Sequence, residues 1–342
     1  MMINLFKIYL IYNYMNYKLE KYQYKLLKNQ FGGKLPIFGY HRNIGGKNEQ
    51  QDRLSVVSYT PPKVELPENI KESVRLAKLH NLVPPQVKKT ISKEFIIFSV
   101  FDGHGGIDTS EYLNNTLPNR CKDAIEALPN LADPNAISNI VRQKMIEIDH
   151  EDNRAMKHSY IGSTGTICVV TDKHIIVNNV ADSPAILFTN EGVLIEKTNV
   201  HNCNKPEEEA RINQNSQYPL CKVTMYKEGE PYKRLASAPT NIGLDMTRAF
   251  GDNKFKPKAD ATPESYIWNR KSGDILCVCS DSFFEDSLDG MKEVQNEQDV
   301  INEIYPILVE KNFDPQSTAI RVVNRRAHRI HKDNTSMILA IF

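Results

Sequence analysis

The chain has 342 residues, 40% of them hydrophobic, enough apolar material for one large packed unit or two ordinary ones. Lys and Arg total 43 against 42 Asp and Glu, a formal charge of +1, so no global field draws the chain to nucleic acid or to an anionic membrane. The six cysteines include no CxxC pair, which argues against a zinc ribbon and fits a reduced intracellular setting, cytoplasmic or nuclear.

Residues 1–30 are rich in Tyr, Asn and Lys, and their apolar stretch is broken by Lys7 and Asn13. That stretch is too short to span a bilayer and no small-residue cleavage site follows it. It reads as an N-terminal extension, helical or without fixed order, ahead of a unit covering 31–342. Strand signals begin with LPIFGYHR and DRLSVVSYT. Next comes FIIFSVF, short, aromatic and β-branched, which ends in Asp102 and the glycine-rich DGHGG. Gly103, Gly105 and Gly106 permit positive φ and close approach of the backbone to a ligand. A carboxylate on a stiff strand beside an open carbonyl suits a hard, oxygen-seeking cation.

Two helical stretches follow, about 109–128 and 135–157. TGTICVVT, HIIVNNV, AILFTN and VLIEKT are then joined by short polar turns, the mark of antiparallel hairpins. The polar section about 213–240 has weak periodicity and reads as a flap-like excursion. DILCVCSD is another buried strand ending in aspartate, Asp281. Helices about 292–310 and 315–330 precede the last strand, SMILAIF. Strands in hairpin order with helices in pairs predict an α+β fold, an antiparallel β-sandwich flanked by helix pairs in four layers, α-β-β-α.

Asp102, Asp281 and Asp333 thus share one kind of position, the junction of a strongly apolar strand. Singly, each is more often a turn or cap residue. Together they would repel one another severely in a partly buried site unless divalent cations sat among them.

The motifs VFDGHGG, GSTGTICVV, NNVADSPAILF, TNVHNCNKPEEEARI, LDMTRAFGD, CVCSDSFFED and KDNTSMILAIF occur in this order. From about Gly39 to Phe342 the chain resembles the protein phosphatase 2C family of metal-dependent serine/threonine phosphatases. The resemblance implies two Mg²⁺ or Mn²⁺ ions, with Asp102 bridging them, the Gly103 carbonyl on one, and Asp281 and Asp333 on the other. It implies that His104 is the general acid, that Lys47 binds the substrate phosphate, and that Asp52 holds a water at the metals. Phosphoproteins are the implied partners, and a monomer the implied state.

Departures from the family pattern bear on activity. Gln51 stands where the first acid of an E-D pair is expected, and Lys47 where arginine is common, so charge is kept without the bidentate fork. Ala181 and Pro184 replace Gly and Arg in the DSR turn. Ser282 replaces Gly beside the metals. Val200 replaces an aspartate associated with a third ion, which makes that site doubtful, although Glu285 keeps an acid nearby. Two readings follow: an active phosphatase, or a pseudophosphatase that uses the fold to bind and regulate proteins. A nuclease would need a basic groove that the charge balance does not supply.

Overall fold

A computed structural model of the chain describes residues 36–60, 94–155, 160–214, 221–227, 230–236, 243–284, 296–330 and 333–342. The expectations for residues 1–30, for Glu285 and for a helix start near 292 lie outside the described residues. The chain runs through β1 (Ile37–Asn43), β2 (Arg53–Tyr59), β3 (Phe95–Phe101) and the two-residue β4 (Gly103–His104). Helices α1 (Asp108–Glu126) and α2 (Pro134–Ala155) follow, then the short β5 (Gly162–Ser163). The meander is β6 (Gly165–Val170), β7 (His174–Val180), β8 (Ala185–Phe188) and β9 (Leu194–Lys197). After α3 (Pro206–Asn213) come β10 (Cys221–Lys227), β11 (Glu230–Ala236), β12 (Gly243–Leu244) and β13 (Phe250–Gly251). The remainder is β14 (Glu264–Asn269), β15 (Ile275–Cys279), a 3₁₀ turn (Asp281–Phe284), α4 (Glu297–Glu310), α5 (Pro315–Ile330) and β16 (Thr335–Ile341).

Two five-stranded antiparallel sheets form the centre, in the orders β1-β16-β15-β8-β9 and β14-β7-β6-β3-β2. β3 shows why its sequence, FIIFSVF, is apolar at every position but Ser99. Phe95, Ile97 and Phe101 pack with Leu113 and Leu117 of α1 and Val141 of α2. The alternate residues Ile96, Phe98 and Val100 face the other sheet, against Phe38, Leu276 and Ile338. A strand covered on both faces draws apolar residues to both of its sides, not to every second position alone. The outer face of the first sheet is closed by α4 and α5, through Val300, Ile304 and Val323 on Phe188, Cys277 and Leu339. Three apolar clusters between four layers give the α-β-β-α arrangement expected from the sequence.

The excursion holds the small sheet β10-β11-β12. β14 has no counterpart in the sequence reading, since ESYIWN alternates inward residues (half-buried Glu264 and Tyr266, buried Trp268) with exposed ones at a sheet edge and lacks a long apolar run. Four cysteines (121, 168, 277 and 279) are buried free thiols, whereas Cys203 is disulfide-bonded, which six scattered thiols did not predict. Among the described residues, no helix is long and apolar enough to cross a membrane.

Candidate functional site

Strand pairing gathers the carboxylates at one end of the sandwich. Arg53 pairs with Phe101, so Asp52 before β2 lies beside Asp102 after β3. Cys279 pairs with Met337, so Asp281 after β15 lies near Asp333 before β16. Asn43 pairs with Thr335, and the loop after β1 brings Lys47 to the same end. The β7–β8 turn contributes Asp182. None of these neighbours is close in sequence; antiparallel register places them together.

Asp102 is held by its backbone. Its N–H donates to Thr164 Oγ1 at 3.0 Å, while its carbonyl accepts from Thr164 N at 2.9 Å and from Ser163 Oγ at 3.1 Å. Its carboxyl is pushed well above the usual range, first by burial and then by the charges of Asp52, Asp281, Asp333 and Asp182. Asp52 is fully buried; its Oδ2 accepts from Ser336 Oγ at 2.6 Å. Burial, chiefly, pushes the Asp52 carboxyl up to about 6. Its Oδ1 is buried with no donor, and its side chain lies within hydrogen-bonding reach of Asp102. Lys47 Nζ sits 3.0 Å from Asp333 Oδ1, both partly exposed. Burial lowers the Lys47 ammonium, but Asp333, Asp102 and Asp281 outweigh that and raise it.

This donor set fits small hard cations. It is all oxygen, it carries more negative charge than Lys47 and Arg42 offset, and it leaves Asp52 Oδ1 without a donor. Among the described residues no three His, Cys, Asp or Glu side chains close into a cage.

His104 is brought to Asp252 by a second small sheet. Gly103 and His104 pair with Ser163 and Gly162, which pair in turn with Phe250 and Gly251. His104 Nε2 and Asp252 Oδ2 lie 2.6 Å apart. A Cβ at Gly162 would stand 2.5 Å from that Nε2 and 2.2 Å from that Oδ2, so only glycine leaves room for the pair. Burial lowers the imidazole pKa, but the Asp252 charge and hydrogen bond outweigh it and the net shift is upward.

The other departures take distinct forms. Ser282 is buried and its Oγ hydrogen-bonds Ser280 Oγ at 2.9 Å, so its hydroxyl is engaged by the residue just before the 3₁₀ turn. The turn is braced by buried Arg326, whose Nε donates to the Ser282 carbonyl at 3.1 Å. Val200 is half-buried in the loop after β9 and supplies no charge. The further acid acting on Asp102 and His104 is Asp182. Sequence reasoning took Asp182 for a turn residue and overlooked Asp252. The terminal aspartate of LDMTRAFGD was the available signal for the latter.

A family profile described as Protein phosphatase 2C matches residues 71–334. Curated relatives include Probable protein phosphatase 2C 75 of Arabidopsis thaliana, 27% identical over 60% of this chain and 51% of its own length. Probable protein phosphatase 2C 52 of Oryza sativa subsp. japonica is 26% identical over 78% of this chain and 48% of its own length. The chain thus spans about half the length of these relatives. Among solved structures, a phosphatase from a pathogenic strain of Toxoplasma gondii superposes with a TM-score of 0.64 at 20% identity, covering 90% of this chain and 93% of that one. Serine-threonine phosphatase 2C from Toxoplasma gondii gives a TM-score of 0.62 at 17% identity, over 90% and 95%; both show the fold. The order of motifs, the four layers and the profile match agree: the chain belongs to the protein phosphatase 2C family.

Proposed function

We propose that this chain is an active, metal-dependent phosphatase that hydrolyses phosphoserine and phosphothreonine in proteins. The observation that carries the reading is the crowding of Asp52, Asp281, Asp333 and Asp182 around Asp102, whose carboxyl is raised first by burial and then by these charges. A scaffold has no need to concentrate charge in this way. Asp102, the Gly103 carbonyl, Asp281 and Asp333 would hold Mg²⁺ or Mn²⁺; when bound, these ions supply Lewis acidity and a water acidic enough to attack at neutral pH.

The chain's own residues do the rest. Lys47, 38% exposed in its side chain, meets the phosphate dianion with a point charge at the mouth of the site. Asp52 accepts a hydrogen bond from the attacking water and orients it. As the new P–O bond forms and the bond to the serine or threonine oxygen breaks, His104 gives its proton to the departing oxygen. Asp252 keeps that imidazole oriented and favours its protonated form. The catalytic unit is assigned to residues 31–342, acting as a monomer, with residues 1–30 dispensable for turnover.

Purified protein should hydrolyse an aryl phosphate and a phosphothreonine peptide with Mn²⁺ or Mg²⁺, and excess chelator should stop both reactions. Full activity in chelator, or none at any metal concentration, overturns the reading. Metal binding without turnover would favour the pseudophosphatase, whose supporting observation is the loss of an acid at Gln51.

A further inference from the structure

Gln51 replaces an acid with a group of the same shape and no charge, and its contacts are specific. Its backbone N–H donates to Asn334 Oδ1 at 2.6 Å and its carbonyl accepts from Ser110 Oγ at 2.6 Å. With its main chain held at both ends, the side chain has a fixed base. Its amide, in the orientation that satisfies both of its ends, donates to the Gly103 carbonyl at 3.2 Å and accepts from the Gly106 N–H at 3.3 Å. The amide therefore spans the glycine loop between its second and fifth residues. Gly106 lies at φ 155, a conformation open to glycine, and this hydrogen bond helps hold it there.

The carbonyl so occupied is the one that the phosphatase reading gives to a divalent cation, and this inference rests on that reading. A glutamate at 51 could not donate to Gly103. Its carboxylate would repel that carbonyl until a cation came between them, and would then attract the cation. The glutamine does the reverse. It ties up one lone pair of the carbonyl and turns the positive end of an N–H dipole toward the place a cation would occupy.

We propose that Gln51 is an affinity-setting residue: its amide caps the Gly103 carbonyl, keeps the 103–106 loop in place without a cation, and weakens divalent-cation binding at that carbonyl. The residue positions the loop and sets its charge; it takes no proton and touches no substrate. Occupancy at that carbonyl would then depend on the metal level, in contrast to an acid-bearing relative.

The test is calorimetric titration of the full chain with Mn²⁺, alongside thermal unfolding in chelator, for wild type, Gln51→Glu and the apolar Gln51→Met. Gln51→Glu is expected to bind Mn²⁺ about tenfold tighter, since charge count sets the affinity of oxygen-ligand sites. Gln51→Met frees the lone pair without adding charge and should tighten binding by a smaller factor. In chelator both variants should melt below wild type, Gln51→Glu lowest because carboxylate and carbonyl then face each other. An affinity order with wild type tightest or all three equal, or a wild-type melting temperature for both variants in chelator, overturns the proposal. Neither readout uses turnover. Should wild type bind Mn²⁺ yet hydrolyse nothing, the phosphatase reading fails while the affinity order still decides the role of Gln51.

Discussion

Ala181 carries a side chain at φ 78, in the left-handed region where Cβ crowds the following carbonyl. It tolerates that conformation because buried His201 clamps it: the Ala181 N–H donates to His201 Nδ1 at 3.0 Å and the Ala181 carbonyl accepts from His201 N at 3.2 Å. A left-handed non-glycine residue costs roughly 1–2 kcal/mol, and part of that returns as lost chain entropy when glycine replaces it. Ala181→Gly should therefore raise the unfolding free energy by about 1 kcal/mol in a denaturant titration. No gain would mean that the clamp already relieves the strain. The His104–Asp252 pair makes a second prediction at this scale. Asp252 raises the imidazole pKa, and a general acid works only below its pKa, so the alkaline limb of the kcat profile reports it. Asp252→Asn should lower kcat by roughly 10- to 100-fold with KM little changed, and should move that limb to lower pH. A uniform loss at all pH values would reduce Asp252 to a structural role.

Helix α3 is fastened by one buried acid. Glu208, 3% exposed, accepts from Thr247 Oγ1 at 2.6 Å, from Arg211 Nη2 at 2.9 Å and from Arg248 Nη2 at 2.5 Å. Burial raises its carboxyl, but these donors outweigh it and hold the pKa at about 2, below the ordinary glutamate value of 4.5. The folded pKa is the depressed one, so the stabilisation is complete above about 4.5 and disappears as pH falls toward 2. At 1.36 kcal/mol per pK unit this is worth about 3 kcal/mol. Glu208→Gln should lose about that much at pH 7 and should flatten the acid limb of the stability curve between pH 4.5 and 2. An unchanged acid limb in urea titrations would locate acid sensitivity elsewhere. A second fastening works from α2: Asp149 Oδ1 accepts from the Gly251 N–H at 3.1 Å and Asp149 Oδ2 from Lys256 Nζ at 2.8 Å. The helix thereby holds the turn that presents Asp252. Elements of this kind were only partly legible in the sequence. β3, β15 and β16 announced themselves because burial on both faces demands unbroken apolar runs. β4, β5 and β13 are two residues long and exist through tertiary pairing alone, and β14 is an edge strand whose alternation spans only six residues of mixed polarity.

Across the whole molecule, the sandwich works as a frame that forces like charges together. The sequence disclosed Asp102, Asp281 and Asp333, since each ends or precedes an apolar strand. It could not disclose which strand ends converge, because that depends on register between residues as far apart as Arg42 and Ser336. Asp182 and Asp252 look like ordinary turn residues until pairing brings them to Asp102 and to His104, the latter across 148 positions. The frame is stable enough to bear the repulsion because three apolar clusters lie behind it, each fully buried aliphatic or aromatic side chain contributing roughly 1.5–3 kcal/mol. This makes a final prediction about Asp102, on which four other aspartates act. Removing its charge should relieve repulsion from Asp52, Asp281, Asp333 and Asp182 while keeping the shape of the side chain. In excess chelator, Asp102→Asn should melt above wild type. Adding Mn²⁺ should reverse that order, because wild type gains binding energy that the asparagine variant has lost, and turnover by the variant should vanish. Melting curves with and without the ion decide it: a variant that melts below wild type in chelator would show that Asp102 is a net stabiliser of the metal-free fold and that the frame carries no such repulsion.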